Sequence, residues 1–351
     1  RCAQCAPGRG SGAVRARRLS FSAAIHVALP FYPALLLLAA LWGGSFLFMR
    51  IAAPVLGPVW LIALRVLIAG LVLLPLIARR RHLALLRQHA WQLLWVGFVS
   101  AALPFTLLAY SSLELTAGST SILNATVPIF AAVIGFSVYA ERLDGRRVAG
   151  VALGFVGVVV LVGLPAGGGP PPLLSVLAGL AAAVSYVFAA NFAKLRLTGI
   201  PALVFVSGSQ LGAAVFLLPL MPVFPPPQTP GGLVIAAVLA LALLSTSLAF
   251  IIYFQLIREV GPTRTLTVTY LIPVFAIGWG ALLLGEQLTL GMLLGGGLVL
   301  LGVALANSRA ASARPVFQAG SDVDADEEMA LVAAKAPSAV RRKQSEPNGL
   351  N

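Results

Sequence analysis

Carboxylates are scarce in this chain. Among its 351 residues are 11 Asp and Glu against 24 Lys and Arg, and no Asp falls inside a long apolar run. Glu114, Glu141 and Glu286 stand at the ends of such runs, and Glu259 lies in a connection. Paired-aspartate hydrolysis is therefore excluded, because it needs two carboxyl groups at one place. So is a pump that carries its proton on a carboxylate inside a span; Glu114 and Glu286 remain as groups able to titrate at the outer mouth. Histidine is equally thin. His26, His82 and His89 all lie outside the apolar runs, so no serine there has a base to activate it. The only cysteines are Cys2 and Cys5, in "RCAQC". A structural zinc takes about four ligands, so neither a metal nor any other cofactor is expected. No Gly-Lys pair occurs anywhere, which removes a phosphate-binding loop and direct ATP drive. The runs "GGGP" and "GGG" do not replace it, since neither sits between a strand and a helix. No enzyme is expected from these residues.

What the chain has is apolar side chain. Hydrophobic residues make up 59% and charged residues 10%, where a soluble domain carries about 25% charged. A soluble core cannot absorb that much, so the solvent for most of the chain is the lipid bilayer. The net charge of +13 does not mark a nucleic-acid partner. Its basic residues sit in short runs between apolar blocks, with no basic domain or aromatic-basic platform.

A bilayer core of about 30 Å is crossed by about 20 apolar residues. Ten stretches qualify. The first five are Phe31 to Ala52, Pro58 to Ala78, Trp91 to Leu113, Gly118 to Ala140 and Arg147 to Leu164. The second five are Leu173 to Ala193, Ile200 to Met221, Leu233 to Ile257, Pro262 to Leu284 and Leu290 to Ala306. Short connections join them, two marked by the breakers "PAGGGPPP" and "PVFPPPQTP". Residues 1–30 read as a disordered basic tail, with a targeting segment or an extended start as the alternative for 1–28. Residues 307–351, with "SDVDADEE" and "RRKQSEPNGLN", read as a disordered cytoplasmic tail.

Basic residues sort by side. The two tails and the connections on their side hold 22 Lys and Arg. The opposite side holds only Arg50, and Arg65 lies within the second stretch. Without the tails the comparison is still 11 against one. The positive-inside rule puts both termini in the cytoplasm, which requires an even number of crossings. Ten satisfies it, and a bacterial inner membrane is the expected location.

The chain also repeats itself. "VPIFAAVIGFSVYAERLDGRRVAGVALGFVG" from Val127 returns at Ile272 as "IPVFAIGWGALLLGEQLTLGMLLGGGLVLLG", shifted by 145 positions. Pro128 falls on Pro273, Glu141 on Glu286, Gly150 on Gly295 and Gly157 on Gly302. "LVLLPL" at Leu71 matches "AVFLLPL" at Ala214, and Tyr110 is aligned with Tyr253. Each half carries five helices, and an odd number makes the second half enter from the opposite side. Arg142, Arg146 and Arg147 follow Glu141, whereas Gln287, Thr289 and Gly291 follow Glu286, as that inversion demands. The fold class is thus an all-α integral membrane protein of ten transmembrane helices in two inverted five-helix repeats. Inverted repeats are a transporter signature, with substrate held between the halves near the midplane.

On these motifs, together with "LWGGSFLFMRIA" and "LIALRVLIAGLVL", the chain resembles the drug/metabolite transporter superfamily, in particular the group with two EamA domains. The resemblance covers residues 31–165 and 173–306. It implies ten helices in two inverted halves and export or exchange of small metabolites by alternating access.

Polar residues inside a bilayer are costly and mark candidate sites. Arg65 leads, as a guanidinium fork for a carboxylate or phosphate; its structural alternative is a tie between backbone carbonyls. Ser121, Asn124 and Pro128 share one helix face by spacing, and Thr265, Thr269 and Pro273 form the related set. Pro128 and Pro273 are expected to break their helices, each freeing the carbonyl four residues back. Trp42, Ser45, Tyr110, Tyr186, Asn191, Gln210 and Tyr253 complete a candidate substrate surface, set against packing. Gly150, Gly154, Gly291 and Gly295 make small faces for close helix contact, within a protomer or between two copies of a homodimer. The expected solute is an amino acid or a related polar or amphipathic metabolite. A nucleotide-sugar or phosphate-ester exchanger would want several cavity cations, and a drug exporter a cavity carboxylate. A receptor or scaffold that moves nothing is the alternative of a different class.

Overall fold

The computed structural model describes residues 29–139, 144–164 and 171–307. Glu141, both cysteines and nearly all of the two expected tails lie outside the described residues.

The segment Phe31–Ile77 is 47 residues long. That is about 70 Å of helix, more than twice a bilayer core. It makes two crossings because Gly57 interrupts it with φ 74° and ψ 155°, a conformation that a side chain would strain. Residues 31–56 form α1 and residues 58–77 form α2. Pro58 opens α2, at a position where a missing N–H costs little. The next crossings are α3 (Ala90–Glu114), α4 (Ala117–Val138), α5 (Gly145–Gly163) and α6 (Leu173–Arg196). They are followed by α7 (Ala202–Leu220), α8 (Gly232–Val260), α9 (Val268–Leu284) and α10 (Leu290–Asn307). One short turn, Pro262–Thr265, precedes α9. Large apolar side chains face outward, such as Val159 at 69% and Leu282 at 78% exposed, a surface suited to lipid.

The short connection from α2 to α3 carries a helix of its own. Arg80–Gln88 is a helix with no buried residue. Its leucines alternate with Arg and His on a helical period, and Leu86 reaches Gly208 of α7.

Inversion is written into the contact between α5 and α10. A methyl group on Gly150 would stand 2.7 Å from the Gly302 carbonyl, and one on Gly302 would stand 2.6 Å from the Gly150 carbonyl. Gly157 and Gly295 face each other in the same way, at 2.7 Å from either side. Gly150 matches Gly295 in the repeat and Gly157 matches Gly302, so the partners are crossed. Crossed pairing is what a two-fold relation between equal surfaces produces. Gly154 meets Ile129 of α4, and Gly291 meets the Leu164 carbonyl. These glycine faces are consumed inside one chain.

Two further features recur. A π-helical segment interrupts α3 at Phe98–Ala102 and α8 at Leu243–Leu248, with starts 145 positions apart. That shift aligns Phe105 with Phe250 and Glu114 with Glu259. It corrects the pairing of Tyr110 with Tyr253, which fall opposite Gln255 and Leu108. The other is a break early in the fourth helix of each half. In α4 it falls between Asn124 and Val127, just before Pro128. In the second half it falls between Thr265 and Val268, and α9 runs on through Pro273. The break assigned to Pro273 is therefore corrected to Leu266 and Thr267, about two turns earlier. Thr265, Thr267 and Thr269 each donate a hydroxyl to a carbonyl three or four residues back, competing with the helical ladder there.

Candidate functional site

Arg65 enters the bilayer on α2 and is only 4% exposed. Its Nε donates to Thr246 Oγ1 at 3.0 Å. Its guanidinium carbon lies 3.7 Å from the centre of the Phe105 ring, a cation over an aromatic face. Phe105 stands edge-on to Tyr186, with ring centres 6.3 Å apart. Helices α2, α3, α6 and α8 meet at this point, two from each repeat. The two terminal guanidinium nitrogens have no protein partner among the described residues. The expected alternative, a tie between backbone carbonyls, is not what Arg65 makes. Its single bond goes to a side chain.

Local structure explains the aim of Thr246. It sits in the π segment of α8, where its hydroxyl donates to the Leu241 carbonyl five residues back at 2.8 Å. Ser247 does the same to Ala242 at 3.0 Å. The widened turn satisfies the hydroxyl proton within α8 and leaves the oxygen free to accept from Arg65. Widened turns of this kind collect at functional positions.

A second aromatic group also joins the two halves. Trp42 of α1 stands edge-on to Phe250 of α8, with ring centres 6.1 Å apart, and 5.1 Å from Tyr253. Trp42 shifted by 144 positions is Tyr186, and Phe250 shifted back by 145 is Phe105. The same edge-on pair is thus built twice. Arg65 has no such copy: the shift that matches Pro75 to Pro219 puts Ser209 opposite it, and Ser209 donates to its own helix at Val206.

The remaining candidates divide. Ser45 is buried one turn after Trp42. Gln210 is 2% exposed, and its Oε1, like Asn124 Oδ1, is buried without a protein partner among the described residues. Ser121 donates to Gly118, Asn191 to Val187 and Thr269 to Leu266. Each spends its hydrogen on its own helix and joins neither aromatic group. Tyr110 is half-buried and also joins neither. Phe105 and Thr246 were missed from sequence. The available signals were the match of Phe105 to Phe250 and the polar run "STS" at Ser245 within apolar α8.

Arg65 is thus a buried guanidinium set against a flat aromatic wall, with terminal nitrogens that have no partner among the described residues. Ten helices in inverted repeats around such a point define a multi-pass membrane carrier. Two segments, residues 30–163 and 173–308, match the EamA-like transporter family model, and the chain belongs to that family. It is 25% identical to the uncharacterized transporter YoaV of Bacillus subtilis, over 75% of this chain and 91% of that one. It is 26% identical to a probable amino-acid metabolite efflux pump of Salmonella typhimurium, over 76% and 90% of the two chains. A solved crystal structure of a protein 22% identical superposes with a TM-score of 0.56, covering 80% of this chain and 99% of that one. At that identity the likeness is one of fold.

Proposed function

We propose that this transporter exports amino acids or closely related amphipathic metabolites by alternating access between its two halves. The observation that carries the reading is Arg65. Its Nε is fixed by Thr246 and its plane by Phe105, so the terminal fork is preorganised for a carboxylate. The aromatic walls of Tyr186 and Trp42 accept the apolar part of such a solute. Export rather than uptake is supported by the efflux pump to which the chain is similar. The basic residues support a bacterial inner membrane with both termini cytoplasmic.

The test is counterflow in proteoliposomes with radiolabelled amino acids, nucleosides, sugars and lipophilic drugs. Exchange of amino acids in the parent, lost in a folded Arg65→Ala variant, is the expected result. Exchange of none of these solutes would sink the reading and favour a scaffold. Single cysteines at Asp144 and Thr289 test the orientation, and should label from the cytoplasmic and the outer face respectively.

A further inference from the structure

At the end of the molecule away from Phe31 and Asn307, two charged side chains tie together three segments distant in sequence. Arg50, near the end of α1, donates from Nη1 to the carbonyls of Ser112 at 2.9 Å and Leu113 at 2.6 Å. Both carbonyls lie in the last turn of α3, where no helical N–H remains to meet them. Arg50 Nε lies 3.7 Å from Glu286 Oε1. Glu286, in the turn from α9 to α10, accepts from the N–H of Ala117 at 3.0 Å on each oxygen. Ala117 is the first residue of an eight-residue helical segment. Gly280 makes the space: a methyl group there would collide with the carboxylate. Glu286 and Gly280 come from the second repeat, and Arg50, Ser112, Leu113 and Ala117 from the first.

The opposite end of the molecule cannot build the same device. Shifted by 145 positions, Ala117 is Pro262, the first residue of its own short helical turn. Proline has no N–H to offer a carboxylate. Shifted by 144, Arg50 is Lys194, a point charge rather than a planar fork able to span two carbonyls.

We propose that Arg50 and Glu286 form a one-sided latch. It holds the turn between α3 and α4 against α1 and against the turn between α9 and α10. The protein then rests closed on the face away from its termini, and that face opens only when the contact from Glu286 to Ala117 breaks. The proposal rests on the alternating-access reading but is measured without any solute.

Spin labels at Glu114→Cys and Leu288→Cys, both exposed, with Cys2→Ser and Cys5→Ser, report the distance across the latch in liposomes. The parent should give one short separation. Ala117→Pro replaces that N–H with a ring methylene at a first helical position, where the proline backbone is tolerated. It should raise the ratio of long to short separations about tenfold, the weight of a hydrogen bond to a charged group. Glu286→Ala should do so at least as strongly, and Arg50→Gln serves if that variant fails to insert. Parental distances in Ala117→Pro and in either second variant would overturn the latch. If distances lengthen while no solute exchanges in any preparation, the latch stands and the transport reading fails. If solutes exchange while distances stay fixed, the latch fails alone.

Discussion

The two halves of this protein are built on one plan and charged differently. Each carries a π segment in its third helix, a broken fourth helix and a glycine-lined fifth, and each lends one ring to either of two edge-on aromatic pairs. Only the first half adds a cation, Arg65, where the second has Ser209. At the ends of the bundle, Ala117 offers an N–H to Glu286, where its counterpart Pro262 has none to offer. On the proposed alternating-access reading, the shared plan makes a frame that can be entered from either side, and the departures from it give that frame a site and a preferred face.

The strongest test of the shared plan is at the seam between α5 and α10. Gly302→Leu puts a side chain where the Gly150 carbonyl and the Gly154 N–H now lie at 2.6 and 2.7 Å. Overpacking of that kind should cost about 3 kcal/mol or more, read as lost thermal stability in detergent. Gly297→Ala, with nothing within 4 Å, should cost nothing.

The charge difference is tested next. Arg65→Ala should reduce exchange of carboxylated solutes about a hundredfold, as expected when one partner of a buried ionic contact is removed. Ser209→Ala, at the matching place, should leave it within about threefold. Equal losses would dissolve the distinction between the halves.

A third test uses acidity at the latch. Burial raises the Glu286 carboxyl above its usual range, against the opposing pull of the Ala117 N–H and of Arg50. A raised value means that the closed form holds its proton more tightly than a solvated carboxylate does. Closure should therefore strengthen as pH falls through the raised value and weaken as pH rises through it. The long-separation population of the same two spin labels should grow as pH rises through that value and fall again on acidification, and Glu286→Gln should abolish the trend.

The smallest effect should come from the aromatic pairs. Phe105→Leu removes the ring under the guanidinium as well as the contact with Tyr186. Phe250→Leu removes ring contacts alone. Affinity for carboxylated solutes should fall further in the first, by about 0.5–2 kcal/mol, measured as solute concentration for half-maximal counterflow.

The crossings were legible in the sequence because a bilayer demands a fixed length of apolar helix, and among the described residues the expected stretches match the helices to within about a turn, except that α9 begins at Val268 and not at Pro262. The repeat was legible for the same kind of reason. Gly150, Gly157, Gly295 and Gly302 are held in place by backbone contact, and only glycine fits. Pro273 shows where such reasoning stops. A proline marks a weak point in a ladder, but three threonine hydroxyls decide where α9 begins. The site was half legible. Arg65, Trp42, Tyr186 and Tyr253 stand out as polar or aromatic residues in apolar helices. Thr246 depends on a π turn, a property of hydrogen-bond register at which the polar run "STS" only hints. Asn191 and Thr269 look equally polar in sequence, yet their own helices absorb them.

The glycine seam also says what stays still. A helix pair in contact at backbone distance has no second set of grooves to slip into, so on the proposed alternating-access reading α5 and α10 serve as a fixed axle. Any swing between the halves has to be absorbed by helices whose ladders are already interrupted. Those are α3 and α8, with their π segments, and α4 and α9, with their breaks. Stiff bearing and pliant levers are thus assigned to different helices, and each assignment is made once in either half.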